Sequence, residues 1–597
     1  GSGEGDTTEL YDSVLKELGL IIVDSDLHIS HLSLRASISV LKVCPSSGPS
    51  VKKHILPPAL VLSTSPLLQD LALDSLLSLL EQLVLSEAVD FDELLSSLQG
   101  RLADDFGGAG GSIMRDVSTG SATSTGGSGG GSKQATSNLA KCIAVITAAT
   151  TPANRDRVVA NLIASLQSAG GGTDGSANVQ EVQLALLASG DLGRKVNLSA
   201  MEGGVAQNLL NIYLSFFDST SEDAKHAAAY ALGRASVGAM DVFLPAILDA
   251  LEQNSQKKQY LLLSALRELI HCYQTGGGAG GGDISSSVPL ILPHLVNHCS
   301  DKEEGVRTMV AECMGSLTCL EPDVMLPRLQ ELVATHSGKD VAAAASAENE
   351  EETGGAAKKD ALACWTVATA IKFAIAARAD PSKLAGYMPS FLRLLSEKDL
   401  SVRNAALLMV YSSVHHTPEL VAGLMQEHIL PSLHELAQLN LKRVVDLGPF
   451  KHTVDDALPL RKAALSIFST CLEKCPASID IPAFMPILGK ALGDVEDIQL
   501  QAHQIVISMC SRHPIPLVAA VETFVDPLQK TIDKKTGQKT GTELERAHEW
   551  IKSGLRTMTA LSQLDGAMNC RKFSEFVERT KRNEKYHRFF VALEDER

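Results

Sequence analysis

The side chains best suited to hold a metal or move a proton lie in three short runs. His294, His298 and Cys299 recur at helical spacing, and Cys471 and Cys475 stand one turn apart, which gives metal ligands the reach they need. A structural site normally takes four ligands in a recognisable spacing. Neither run supplies a complete set, so both read as packing residues on helices. His415 and His416 precede Thr417-Pro418, where a cationic imidazole favours the negative end of a helix, and they read as a helix terminus. The glycine runs lack a preceding strand and a following Gly-Lys-Ser or Gly-Lys-Thr, so none reads as a phosphate-cradling loop. With no convergent acid–base pair, the sequence names no catalytic, cofactor-binding or metal residue and reads as a non-enzyme. Lys530, Lys534, Lys535 and Lys539 form a basic cluster that reads as a solvated loop, or else as a contact for an acidic partner. Arg35, Arg307, Arg403 and Arg461 recur at what look like equivalent positions. They read as ties between neighbouring repeats, pairing with acids or carbonyls.

These residues belong to a rhythm of roughly 35–50 residues. Each unit is a polar turn, a helix with Arg or Lys near its start, a short break, and a second helix with a proline. First helices are signalled at 25–41, 221–228, 304–307, 398–406, 459–464 and 497–502. Second helices are signalled by Phe243-Leu244-Pro245, Met325-Leu326-Pro327, Tyr387-Met388-Pro389, Ile429-Leu430-Pro431 and Phe484-Met485-Pro486. Proline is tolerated in the first helical turn, so it predicts that each second helix starts there. An Asp or Ser before a first helix predicts an N-cap. Apolar residues at spacings of three and four give every helix a face to bury. Such units are HEAT-type helical hairpins, so the expected fold is an all-α HEAT-repeat solenoid, a superhelix of stacked pairs.

At 597 residues the chain exceeds what one hydrophobic core supports, which agrees with a repeat array. Apolar residues are 45% but aromatics only 4%, a profile suited to small-residue helix packing. A formal charge of −17 argues against a nucleic-acid groove, which needs clustered cations. Eleven scattered cysteines fit reduced thiols in the cytoplasm and nucleus. Apolar runs such as 55–62 and 405–411 fall far short of a membrane span. The opening Gly1-Ser2-Gly3-Glu4-Gly5, without Met or signal segment, reads as the start of a fragment.

Four stretches rich in Gly, Ser and Ala, 107–132, 169–175, 275–282 and 337–355, read as loops between helices, the last with acids at 348–352. The expected organisation is HEAT repeats at 1–104, a Gly/Ser-rich insertion at 105–137, repeats with Gly-rich loops at 138–336, and an acidic loop at 337–358. Repeats resume at 359–430, and 431–597 forms a distinct terminal domain.

Inside that last segment the helical rhythm fails. Val444-Val445-Asp446-Leu447-Gly448-Pro449-Phe450-Lys451-His452-Thr453-Val454-Asp455-Asp456 places β-branched residues on both sides of a Gly-Pro turn, predicting one protruding hairpin at 441–456. That string, followed by Leu460-Arg461-Lys462-Ala463-Ala464, resembles the terminal domain of the cullin-associated neddylation-dissociated proteins, also called TATA-binding-protein-interacting proteins. The resemblance continues through 65–69, 140–142, 228–233, 259–263 and 310–313. It covers nearly the whole chain and corresponds to roughly the carboxy-terminal half of that family. The Gly-rich insertions depart from it, and 543–597 matches more loosely.

The resemblance implies a partner, not a reaction. It implies binding to an unneddylated cullin and its RING-box protein, with the hairpin at the site otherwise used by the Skp-type adaptor and substrate receptor. It would thereby promote receptor exchange on cullin–RING ubiquitin ligases. The contact residues it implies are Val444, Val445, Leu447, Gly448, Pro449, Phe450, Lys451 and His452. The other reading of these apolar residues is packing on neighbouring helices. No cofactor, nucleic acid or membrane is implied. An importin-β-like transport receptor shares the acidic HEAT features but not the Gly448-to-Thr453 hairpin, and a regular phosphatase-type scaffold would have neither hairpin nor insertions.

Overall fold

The computed structural model describes residues 3–106, 130–170, 179–253, 256–276, 283–337, 350–446, 451–534 and 540–595. Among them almost every element is a helix, and the sheet has two strands, β1 (Lys442–Asp446) and β2 (Lys451–Asp455). No described helix is long and apolar enough to cross a membrane. Of the expected loops, the parts 107–129, 171–175, 277–282 and 338–349 lie outside the described residues. Helices Gly130–Ala149 and Glu350–Ala376 begin inside the stretches that composition assigned to insertions.

The chain divides into two units, 1–294 and 295–597. In the first, Leu27–Val43, Asp70–Leu85, Gly130–Ala149, Val179–Lys195, Glu222–Gly238 and Gln256–Gln274 each pack on the next, forming a row of first helices. Pro152–Gly170, Val205–Phe216 and Met240–Gln253 form a second row beside it. In the second unit the row of first helices is Glu304–Leu320, Glu350–Ala376, Leu400–His416, Leu458–Lys474, Glu496–Arg512 and Thr542–Ser562. Ile481–Ala491, Pro514–Ile532 and Arg571–Arg582 flank it. This is helical-hairpin stacking of the HEAT kind in each unit.

Small residues set how closely neighbours approach. A Cβ added at Gly190 would lie 2.4 Å from the Ala231 Cα, and one at Gly315 would lie 2.6 Å from the Ala370 carbonyl oxygen. Only glycine fits there, which is why the chain stacks helices with few aromatics.

The caps are partly as predicted. Asp26, Ser221 and Asp399 accept backbone amides of Ile29, Ala224 and Val402, whereas Glu303 and Val495 precede first helices without side-chain capping. Of the five second-helix prolines, Pro389 and Pro431 stand in the first turn of a helix as predicted, and the other three do not. Pro245, Pro327 and Pro486 are each the sixth residue of Met240–Gln253, Pro322–His336 and Ile481–Ala491. There each deprives the carbonyl four residues earlier of its amide partner, a cause of kinking. At the same repeat position Pro431 follows a π-helical stretch, Met425–Ile429, and starts a new helix, and Pro389 is the second residue of Met388–Leu392.

One polar feature crosses the first row. Arg234 has its Nε 2.5 Å from Asp191 Oδ1 and donates through Nη1 to Glu268 Oε1 at 3.0 Å. All three are nearly buried, and the guanidinium carbon lies 4.9 Å from the Tyr230 ring centroid. Burial pushes the Asp191 carboxyl up, while Arg234 and Lys141 of the preceding first helix pull it back. Lys141, Asp191, Arg234 and Glu268 thus alternate in sign across four successive first helices.

Candidate partner-binding hairpin

The hairpin's neck is built on a position that recurs through the repeats. The fourth residue of a first helix leans back toward the helix start and reaches the preceding turn, whose carbonyls need donors. Arg307 donates there to the Asp301 and Lys302 carbonyls at 2.7 and 2.9 Å. Arg403 donates to the Leu395 carbonyl at 3.0 Å and to Glu435 at 2.9 Å. In Glu496–Arg512 the same place is Gln499, which donates to the Asp494 carbonyl at 2.7 Å. Three of the four arginines in the predicted series act as predicted. Arg35 does not: it is the ninth residue of its helix and exposed, and the fourth is Ser30, bonded to the Val23 carbonyl at 2.7 Å.

Arg461 is the fourth residue of Leu458–Lys474 and, among the described residues, the largest fully buried side chain, at 2% exposure. Its Nη1 donates to the Leu439 carbonyl at 2.8 Å, above the start of β1. Its Nη2 donates to Asp455 Oδ2 at 2.8 Å, the last residue of β2. The same nitrogen donates to Asp494 Oδ1 at 3.2 Å, and Nε lies 2.8 Å from Asp494 Oδ2, in the turn before the next first helix. Burial pulls the guanidinium down, but Asp455 and Asp494 hold it above its ordinary value. The hydrogen bond from Arg461 holds the Asp455 carboxyl below its own.

Above the neck the strands are antiparallel, pairing Lys442 with Asp455, Arg443 with Val454, Val444 with Thr453, Val445 with His452, and Asp446 with Lys451. Arg443 grips Asp456 through Nε at 2.6 Å and Nη2 at 3.2 Å, and the Leu441 amide donates to Asp455 Oδ1 at 3.3 Å. Alternation then sorts the sides. Val444 and Thr453 share an exposed face, with Val444 at 65% exposure, while Val445 and Val454 on the other are half-buried. Leu441 at the neck is 40% exposed. Of the residues named from sequence, Leu447, Gly448, Pro449 and Phe450 lie outside the described residues. Lys451 and His452 are placed by strand register alone. Val444 and Val445 are described, and the exposed Val444 is not packed on a helix.

The other candidates are held in the packing. His294 Nδ1 lies 3.4 Å from Glu252, and His298 Nδ1 lies 3.9 Å from Asp301. Burial pushes the Cys299 thiol up to about 11 and raises Cys471 as well, with Cys475 beside it adding to that rise. Among the described residues no three His, Cys, Asp or Glu side chains gather as a metal would require. Burial lowers the His416 pKa, and the neighbouring His415 adds to it. Lys534 is not simply solvated, because its Nζ lies 3.1 Å from the centroid of the Trp550 ring. Lys535 and Lys539 lie outside the described residues.

Residues 420–581, hairpin included, match the family model described as "TATA-binding protein interacting (TIP20)", and 291–318 match the HEAT repeat. The cullin-associated NEDD8-dissociated protein 1 of Arabidopsis thaliana is 34% identical over 99% of this chain and 44% of its own length. Over nearly its whole length the chain is similar to the cullin-associated NEDD8-dissociated proteins. Protein 1 of Dictyostelium discoideum is 32% identical over 96% of this chain and 42% of its own, and protein 2 of Rattus norvegicus 31% over 92% and 39%. The chain therefore spans less than half the length of these family members. Among solved structures, Kap95p bound to RanGDP aligns at a TM-score of 0.49 and 12% identity, covering 96% of this chain and 67% of that one. That likeness is too loose to bear on partners.

Proposed function

We propose that this chain is a cullin-binding assembly factor. In this reading it grips an unneddylated cullin with its RING-box protein and sets the hairpin where the Skp-type adaptor would sit. It then promotes exchange of substrate receptors on cullin–RING ubiquitin ligases. The observation that carries the reading is a hairpin with a welded neck and an exposed Val444 inside the segment that matches the TATA-binding-protein-interacting model. The names of its relatives supply the partner. An exposed apolar residue on a rigid stem suits an anchor, since a few buried side chains dominate most interfaces. Exchange then needs only negative coupling: factor and adaptor each weaken the other's hold, reciprocally in binding free energy. No bond is made or broken by the chain itself. The same reading puts it in the cytoplasm and nucleus, where its eleven free cysteines stay reduced.

The test is capture of a purified cullin–RING-box complex by the intact chain, by Val444→Asp, and by Leu447→Asp with Phe450→Asp. Each is run with and without neddylation and with added adaptor. Loss of capture on hairpin substitution, together with competition by adaptor and by neddylation, is the expected result. Equal capture by all three proteins, indifferent to adaptor, overturns the proposal.

A further inference from the structure

Arg461 does something the other fourth-position side chains do not. Arg307 hydrogen-bonds backward to its own turn and lies 5.0 Å from the Trp365 ring centroid on the next first helix, while Arg403 adds one acid; neither holds a hairpin. Arg461 instead holds both legs of the hairpin and the following repeat at once: the Leu439 carbonyl on the way in, Asp455 on the way out, and Asp494 ahead of Glu496–Arg512. A two-stranded ribbon is marginally stable alone, so what fixes its angle must come from the neck. Arg443 with Asp456 closes the neck as well, but on the exposed side, where solvent weakens an ion pair. The planar guanidinium, with donors in a fixed fork, suits three divergent acceptors in a way a lysine ammonium cannot.

We infer that Arg461 is a positioning residue, which sets the angle of the partner-binding hairpin and ties that angle to the stacking of the next repeat through Asp494. The inference rests on the proposed role of the hairpin. It requires that a hairpin loosened at Asp455 or Asp494 still folds yet presents its tip over a wider range of angles, and so captures the partner less well.

The substitutions separate the arms cleanly. Asp455→Asn keeps an oxygen for the Leu441 and Ala457 amides but sets an NH2 group against Arg461 Nη2. Asp494→Asn keeps an oxygen for the Val495 amide and weakens only the link to the next repeat. Arg461→Lys keeps the charge and loses the fork. Hydrogen exchange is measured over 442–455 in the full chain, with circular dichroism to confirm the fold and cullin–RING-box capture in parallel. The expected result is exchange faster by at least about tenfold in Asp455→Asn, a smaller rise in Asp494→Asn, and weaker capture in both. Unchanged exchange in Asp455→Asn and Asp494→Asn, with the fold intact, overturns the inference whatever Arg461→Lys does to folding. Faster exchange with undiminished capture overturns it too, provided Leu447→Asp with Phe450→Asp abolishes capture. If that tip variant binds normally, the proposed function fails, and the exchange data still decide whether Arg461 holds the neck.

Discussion

Replacing Arg234 with methionine keeps most of the side chain's length and removes one cation from between two nearly buried carboxylates. At 2.5 Å from Asp191 and 3.0 Å from Glu268, the guanidinium gains on the order of 5–7 kcal/mol from each acid at an effective dielectric near 20, before desolvation is subtracted. The loss on removing it is dominated by the carboxylates left behind, and an orphaned buried partner costs about 3–5 kcal/mol. The substituted protein has one escape, which is to take up a proton. Asp191 is already pushed up by burial, and losing Arg234 removes the second largest influence on it, the one that pulls it down. A carboxyl whose folded pKa is raised contributes stability below its unfolded value near 3.8, and loses it as pH rises through the folded pKa. The defect should therefore be smallest near pH 4–5 and grow toward neutrality. Urea unfolding, with hydrogen exchange over 179–274 to localise the loss, measures it at several pH values. Adding Asp191→Asn and Glu268→Gln should recover most of the stability at pH 7. A loss under about 1 kcal/mol, flat from pH 5 to 8, would refute the claim that this cation holds three helices together.

His503 is fully buried with Nδ1 3.0 Å from Ser553 Oγ, and burial drives its pKa from 6.5 to about 4. Its neutral form stabilises the fold above pH 6.5 and loses that contribution as pH falls toward 4, on the order of 3 kcal/mol in all; His503→Gln should flatten the thermal stability profile across this window. Gly233→Val places a Cβ 2.3 Å from the Ala265 carbonyl oxygen and should cost at least about 1–3 kcal/mol in chemical denaturation. Gly100→Ala, in Phe91–Phe106 with nothing within 4 Å of the added Cβ, should instead gain about 1 kcal/mol from helix propensity.

The repeat rhythm, the helical pairs and the hairpin were all legible in the sequence, because each rests on local rules: spacing of apolar residues, capping acids, β-branched flanks around Gly-Pro. The errors came where a local rule has two solutions. Proline tolerates the first turn, but it also serves as a kink five residues further in, and only the helix start tells Pro245 from Pro431. Arg35 resembles Arg307 in following a polar turn, but the cap fixes the register, and Arg35 is the ninth residue after Asp26 where Arg307 is the fourth after Glu303. Counting from Asp26 would have found Ser30. The Arg234 cluster was missed because its members come from three helices, 34 to 43 residues apart. The one sequence clue was a long cation flanked by Gly233 and Ala235, in a helix otherwise rich in alanine and glycine.

That cluster also limits how the array can be rearranged. Repeat proteins commonly tolerate loss or duplication of a unit, because each neighbour presents a similar surface. Here the surfaces are not interchangeable. Excising the repeat that carries Asp191 would bring Lys141 against Arg234, and excising the one that carries Arg234 would leave Asp191 facing Glu268. Like charges in a buried seam work against each such splice, so the order of these four repeats is written into their interior.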